Sequence, residues 1–80
     1  MIRLTRHARD CLKKRRLPRA WVDSTIETPD LTAPDPDDPA LTRSYKTIAE
    51  AAGKVLRVVH RPDGDDILII TVHFDRGAKP

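Results

Sequence analysis

Two apolar runs joined by a turn constrain this chain more than any other feature. Val55 to His60 is rich in β-branched residues, Ile67 to Phe74 is the strongest strand-forming stretch, and Arg61-Pro62-Asp63-Gly64-Asp65 lies between them. Pro-Asp-Gly is the composition of a type I turn followed by Gly in the left-handed region, which predicts a hairpin with a three-residue loop. With Arg61 opposite Asp65, Val59 faces Ile67, Arg57 faces Ile69 and Val55 faces Thr71. Strict alternation then assigns Leu56, Val58, His60, Leu68, Ile70, Val72 and Phe74 to a buried face. Val55, Arg57, Val59, Ile69, Thr71 and His73 fall on the other face, where apolar residues mix with a cation and a titratable ring.

A hairpin alone is not stable in water, so upstream segments must cover its apolar face. Ile2 to Leu4 has strand character, and Thr5 can cap a helix by accepting an orphan backbone N–H. Ala8, Cys11 and Leu12 then follow the spacing of one helical face up to Arg16. Pro18 ends that helix and opens a second, in which Trp21, Val22, Thr25 and Ile26 form an apolar stripe. Pro29 disfavours helix at Thr28 and closes it. Pro29 to Pro39 holds four of the seven prolines and four aspartates, and residues 29–40 read as an extended loop with no packed face. Thr42 to Ile48 is a further strand, separated from the hairpin by Gly53. The order is β-α-α-β-β-β: an α+β fold, an antiparallel sheet with two helices packed on one face, and a single domain over residues 1–80. A chain of 80 residues with 39% hydrophobic content has a thin core, so a homodimer or a bound protein is expected.

Charge is sorted along the chain. Residues 1–22 hold eight of the fifteen Lys and Arg and one acid, Asp10, whereas residues 23–40 hold six acids and no Lys or Arg. Such a positive segment attracts phosphate chains or an acidic partner. The acidic segment either folds over it or stays apart as a solubilising loop. Lys13-Lys14-Arg15-Arg16 complements the helix dipole and, with Arg43, offers phosphate-backbone contacts. Helical spacing spreads the run into a sleeve around the axis, and with 4% aromatic residues base stacking cannot be the main mode of binding. Cys11 is the only cysteine, which excludes an internal disulfide and fits a reducing compartment. Met1 to His7 lacks the apolar core of a signal peptide, and Ile67 to Val72 is only strand length, so a cytoplasmic protein without membrane contact is expected. No nucleotide-binding loop, metal-ligand spacing or nucleophile triad is visible, and no cofactor is expected.

Several residues in this order resemble a small bacterial family. They are His7-Ala8 near the start of the first helix, Arg15-Arg16-Leu17, Val22, Tyr45, Val55-Leu56-Arg57-Val58-Val59 and Ile69-Ile70-Thr71-Val72. The chain is similar to a domain-of-unknown-function family (number 4258) that is grouped with RelE/ParE/BrnT-like toxins. Pro18 stands where that family more often has a small polar helix starter, and the Pro/Asp loop is longer. The resemblance implies a RelE-like fold and a toxin-like component of a toxin–antitoxin module, with an antitoxin protein as partner. It also implies a metal-independent ribonuclease of the RNA interferase type acting on mRNA. A non-catalytic protein- or nucleic-acid-binding module of the same fold is the alternative.

Metal-free RNA cleavage needs a base, an acid and cations around the phosphate. Histidine suits both proton roles near neutral pH, and arginine grips phosphate through its planar fork. The candidate catalytic residues are His7, Arg57, His73 and Tyr45. Arg57 is conspicuous as a cation inside an apolar run, although pairing with an acid such as Asp75 explains it equally. His73 is the lesser histidine, near a strand end, and Thr71 reads as a strand-former. His60 falls on the buried face and reads as structural. Two arrangements are distinguishable. A reaction centre brings His7 and Arg57 to one phosphate, whereas a binding module leaves Val55, Val59 and Ile69 as a continuous exposed patch.

Overall fold

The computed structural model describes residues 1–78. The elements are β1 (Ile2–Leu4), α1 (Arg6–Arg15), α2 (Arg19–Glu27), β2 (Leu31–Pro34), β3 (Thr42–Ile48), a short 3-10 turn (Ala49–Ala51), β4 (Lys54–Asp63) and β5 (Asp66–Phe74). They form one five-stranded sheet in the order β1-β5-β4-β3-β2. The expected antiparallel sheet is corrected to a mixed one. β2 to β5 form an antiparallel meander, while β1 runs parallel to β5, pairing Ile2 with Ile67 and Leu4 with Ile69. The meander leaves one side of β5 unpaired, and β1 takes that edge directly before the chain turns into α1. Among the described residues no helix is long and apolar enough to cross a membrane.

Local chemistry explains the helices. The Thr5 hydroxyl accepts the Ala8 N–H at 3.1 Å and caps α1. Arg16 closes α1 in the left-handed conformation, with φ 54°, and the Leu17 N–H returns to the Leu12 carbonyl at 2.9 Å. That reversal buries Leu17. Pro18 caps α2 from outside, and the apolar stripe buries Val22 and Thr25 with Trp21 and Ile26 beside them. Both helices lie on one side of the sheet, α1 along β5 and α2 over β3 and β4. Ala8, Leu17, Val22, Ile48, Leu56, Val58, Ile69 and Val72 make the core between the layers.

Two expectations about the second half are corrected. Residues 29–40 are not wholly a loop without packing, because Leu31–Pro34 pairs with β3 in the register Leu31–Tyr45 to Pro34–Thr42. As an edge strand it tolerates Pro34, whose missing N–H costs no ladder bond on the outer side. The hairpin loop has two residues rather than three: Asp63 pairs with Asp66, and Gly64 takes φ 61°. Glycine in that region at the first central position is what a type II′ hairpin turn requires.

The register carries a bulge as well. Val59 pairs with Thr71 but His60 pairs with Ile69, so Ile70 is an extra residue in β5. Strict alternation therefore fails at Ile70. Ile69, assigned above to the outer face, is 0% exposed in the core, and Ile67 packs beside it in place of Leu68 and Ile70. Beyond the bulge Val72 and Phe74 face the helices as expected. His60 also lies on the helix side, where its Nε2 is 2.7 Å from the Ser44 hydroxyl, and burial holds its pKa below the usual 6.5.

Candidate functional site

The face of the sheet away from the helices is organised in cross-strand rows. Tyr45, Arg57 and His73 form one row across β3, β4 and β5. Arg43, Val59 and Thr71 form the next. Thr47 and Val55 form a third, extended by Asp75, whose N–H bonds to the Val55 carbonyl at 2.8 Å. Strand periodicity puts these side chains opposite Leu56, Val58 and Val72. The continuous apolar patch of Val55, Val59 and Ile69 is not there, since Ile69 is in the core and Val59 is buried among its row neighbours.

Arg57 is the hub. Its Nη1 donates to Asp75 Oδ2 at 3.1 Å, and its Nη2 meets His73 Nε2. A guanidinium has only donors, so this contact is a hydrogen bond only where Nε2 accepts, in the His73 tautomer protonated on Nδ1. The electrostatics agree. Burial first, then the charges of Arg57, Arg15 and Arg43, hold His73 below its usual 6.5, with Asp75 opposing them. The third Arg57 donor, Nε, is buried and has no partner among the described residues.

Arg43 is held by the Asp35 carboxylate, 3.0 Å from its Nε, and the neighbouring Tyr45, then Asp35, raise its pKa. The Asp37 N–H at 2.9 Å, followed by Arg43 itself and the Asp38 N–H, lowers the pKa of Asp35 against the effect of burial. The Tyr45 side chain is largely buried in its row, beside Arg57 and next to Arg43.

His7 reaches the same face from α1. Its Nε2 lies 3.3 Å from Thr71 Oγ1 and 3.5 Å from Cys11 Sγ, and Cys11 Sγ lies 3.8 Å from Thr71 Oγ1. His7, Cys11 and Arg15 are four residues apart and line one side of α1 along β5. His7 and Arg57 make no direct contact; they are linked through Thr71 and His73, alternate residues on the outer side of β5.

The structure thus brings together Arg57, His73, Tyr45, Arg43 and Arg15, with His7 one row away. Lys13, Lys14 and Arg16 do not join them. Lys13 lines a depression on the outer side of the helices with Arg6, Arg9 and Arg19, and Lys14 and Arg16 are exposed elsewhere. Nor does the acidic segment cover the basic helix. Asp35 is tied to β3 near the β2 edge, and α1 lies by the opposite edge. Sequence reasoning undervalued Thr71 and Cys11. The signal for Cys11 was available, since it stands one helical turn after His7.

This is a small α+β domain in which two helices back a five-stranded mixed sheet and the free face carries an arginine–histidine–carboxylate centre. The chain belongs to the family described as Domain of unknown function (DUF4258), whose model matches residues 4–74. No curated protein and no solved structure matches it.

Proposed function

We propose that the free face is a metal-independent ribonuclease site, and that the protein is the RelE-like toxin component of a toxin–antitoxin module. It would be held by an antitoxin in the cytoplasm and would act on mRNA. The observation that supports this most is the Arg57–His73 pair: an imidazole held against a guanidinium, its pKa lowered by burial and by the charges of Arg57, Arg15 and Arg43. A phosphate entering among these charges attracts Arg57 by a charge-assisted, bidentate contact that a neutral ring nitrogen does not match. Arg57 then leaves His73 Nε2, whose lone pair is free to take the proton of the ribose 2′-hydroxyl. The 2′-oxygen bonds to phosphorus as the bond to the 5′-oxygen breaks, and His7 supplies the proton to that leaving oxygen. The products are a 2′,3′-cyclic phosphate and a 5′-hydroxyl end. Arg43, held by Asp35, and Arg15 stabilise the negative charge that grows on the phosphate.

The test is cleavage of single-stranded RNA by purified protein in EDTA, beside growth on induction of the same variants. The wild type should cut and arrest growth, and His73→Ala and His7→Ala should each lose about 10²-fold or more. Cleavage by His7→Ala and Arg57→Ala as fast as by the wild type would overturn the assignment. One observation favours the alternative of a non-catalytic binding module: as the protein stands, the Nε2 lone pair is already used by Arg57. That reading expects the wild type to bind RNA without cutting it.

A further inference from the structure

A cavity of about 490 Å³ opens beside this centre, between the end of α1, the Ala52-Gly53 turn and the end of β5. Its volume is in the range of sites for small ligands. Arg15, Lys54 and Arg76 supply three cations at its wall, and where the sheet ends Val55 from the free face and Phe74 from the helix side supply apolar surface. Lys54 Nζ stands 5.5 Å from the centre of the Phe74 ring. None of the three cations has a carboxylate within salt-bridge distance among the described residues. Among the described residues the one acid in the wall, Asp75, is already committed, with Oδ2 on Arg57 and Oδ1 accepting the Gly77 N–H at 3.0 Å. An anion in the cavity therefore meets open positive charge and a carboxylate whose own charge is compensated.

Position joins the cavity to the reaction centre. Val55 and Asp75 occupy the row next to Arg57 and His73, two residues along each strand, or about 6.6 Å away. That is the scale on which a nucleic acid strand passes from one nucleotide to its neighbour. The larger depression, about 580 Å³ on the outer side of the helices, lacks this link. It is more open, carries Asp10 in its wall and shares no residue with the centre.

We infer that the cavity is a nucleotide subsite: Lys54 and Arg76 hold the phosphate next to the one at Arg57, with Arg15 between the two phosphates, while Val55 and Phe74 receive the attached ribose or base. The ligand is single-stranded nucleic acid of at least two nucleotides. The inference deepens the ribonuclease reading and rests on it for the placing of the first phosphate.

Binding of a fluorescent, uncleavable 2′-O-methyl octanucleotide tests it without requiring catalysis. Affinity is measured by anisotropy across a potassium chloride series for four proteins: wild type, Lys54→Ala/Arg76→Ala, Lys14→Ala/Arg16→Ala and Arg57→Met. All the altered residues except Arg57 are exposed, and melting curves confirm that each variant is folded. The cavity double variant should bind about tenfold or more weakly near 0.1 M salt, with a salt slope shallower by about 1. Lys14→Ala/Arg16→Ala, which removes the same charge elsewhere, should stay within about twofold of wild type. Equal weakening of the two double variants would mean diffuse attraction and would overturn the subsite. An unchanged cavity variant beside a weakened Arg57→Met would overturn the subsite while leaving the centre in place. A weakened cavity variant beside an unchanged Arg57→Met would support the subsite and remove Arg57 from the strand's path. No binding by the wild type would overturn both.

Discussion

Replacing Arg57 by methionine should leave the protein folded and nearly as stable while removing its function. Arg57 and Asp75 are 20% and 24% exposed, so their ion pair lies between two regimes. Solvent-exposed pairs contribute about 0.2–1 kcal/mol, and breaking a fully buried pair costs about 3–5 kcal/mol. Losing this one should cost about 1–2 kcal/mol. Against that stands the buried Arg57 Nε, which has no partner among the described residues. An unsatisfied buried donor costs about 1–3 kcal/mol, and methionine removes it while keeping an apolar stem of similar length. The two contributions nearly cancel, leaving a net change within about 1 kcal/mol of zero. Asp75→Asn is the asymmetric partner experiment. It keeps an acceptor for the Gly77 N–H but leaves Arg57 uncompensated, and should cost about 1–2 kcal/mol. Urea unfolding of both single variants and the double variant, at pH 7.5 and 0.15 M salt, gives the coupling between them, which should be about 1 kcal/mol. A loss above about 3 kcal/mol in Arg57→Met, or no coupling to Asp75, would refute this account.

Other consequences can be checked as directly. Burial lowers the pKa of both His60 and His73, so between their folded values and 6.5 the unfolded chain binds more protons. Stability should be level above about pH 6.5 and fall as the pH drops through it; calorimetry from pH 8 to pH 5 should show this, with a weaker fall in His60→Gln, and stabilisation on acidification would contradict it. Gly64→Ala meets no atom within 4 Å of the added methyl but must hold φ 61°, so denaturation should show a loss of about 1–2 kcal/mol from backbone strain alone. Thr71→Val keeps the shape and strand preference of the residue and removes the hydroxyl that His7 meets. Its melting temperature should be close to wild type while RNA cleavage drops several-fold, about the effect of one hydrogen bond; unchanged cleavage would remove Thr71 as a positioning residue for His7.

What was legible in the sequence follows from which signals are local. Thr5, Pro18 and Pro29 mark helix ends because capping and proline sterics act within a turn, and both helices lie where these residues put them. β2 was hidden because Pro29, Pro34 and the surrounding aspartates dominate its composition, although an edge strand needs only one bonded side. The parallel pairing of β1 was hidden too, since three residues carry no pattern and the pairing depends on an edge left open by distant strands. At the candidate site, Arg57 announced itself as a cation among apolar neighbours, and its pairing with Asp75 was one of the two readings offered. Thr71 looked like strand filler, because its contact with His7 arises from residues 64 positions apart. Of the basic run at 13–16 only Arg15 belongs to the site, and its spacing of eight from His7 is the helical clue that selects it.

The bulge at Ile70 lies behind both the main error and the site itself. Ile67 to Ile70 is apolar throughout, so no composition signal says which residue is surplus. Without an extra residue, a strand that buries Ile67 and Ile69 beside β1 would carry Thr71 and His73 into the helix-side core and turn Val72 and Phe74 outward. An imidazole and a hydroxyl would then be buried against Ala8, Leu17 and Val22, and two large apolar side chains would face water. The bulge lets one strand serve two demands. Its first half follows the parity that pairs with β1, and its second half follows the parity that packs under the helices. The residues released outward by that change are the two that meet His7 and Arg57. A sheet formed only to cover two helices has no need of a parity change in its most apolar strand, and such irregularities concentrate beside functional sites. The bulge, the Arg57 Nε without a partner among the described residues and the His73 ring of lowered pKa thus occupy one corner of the molecule, where local rules of sheet stability are set aside together.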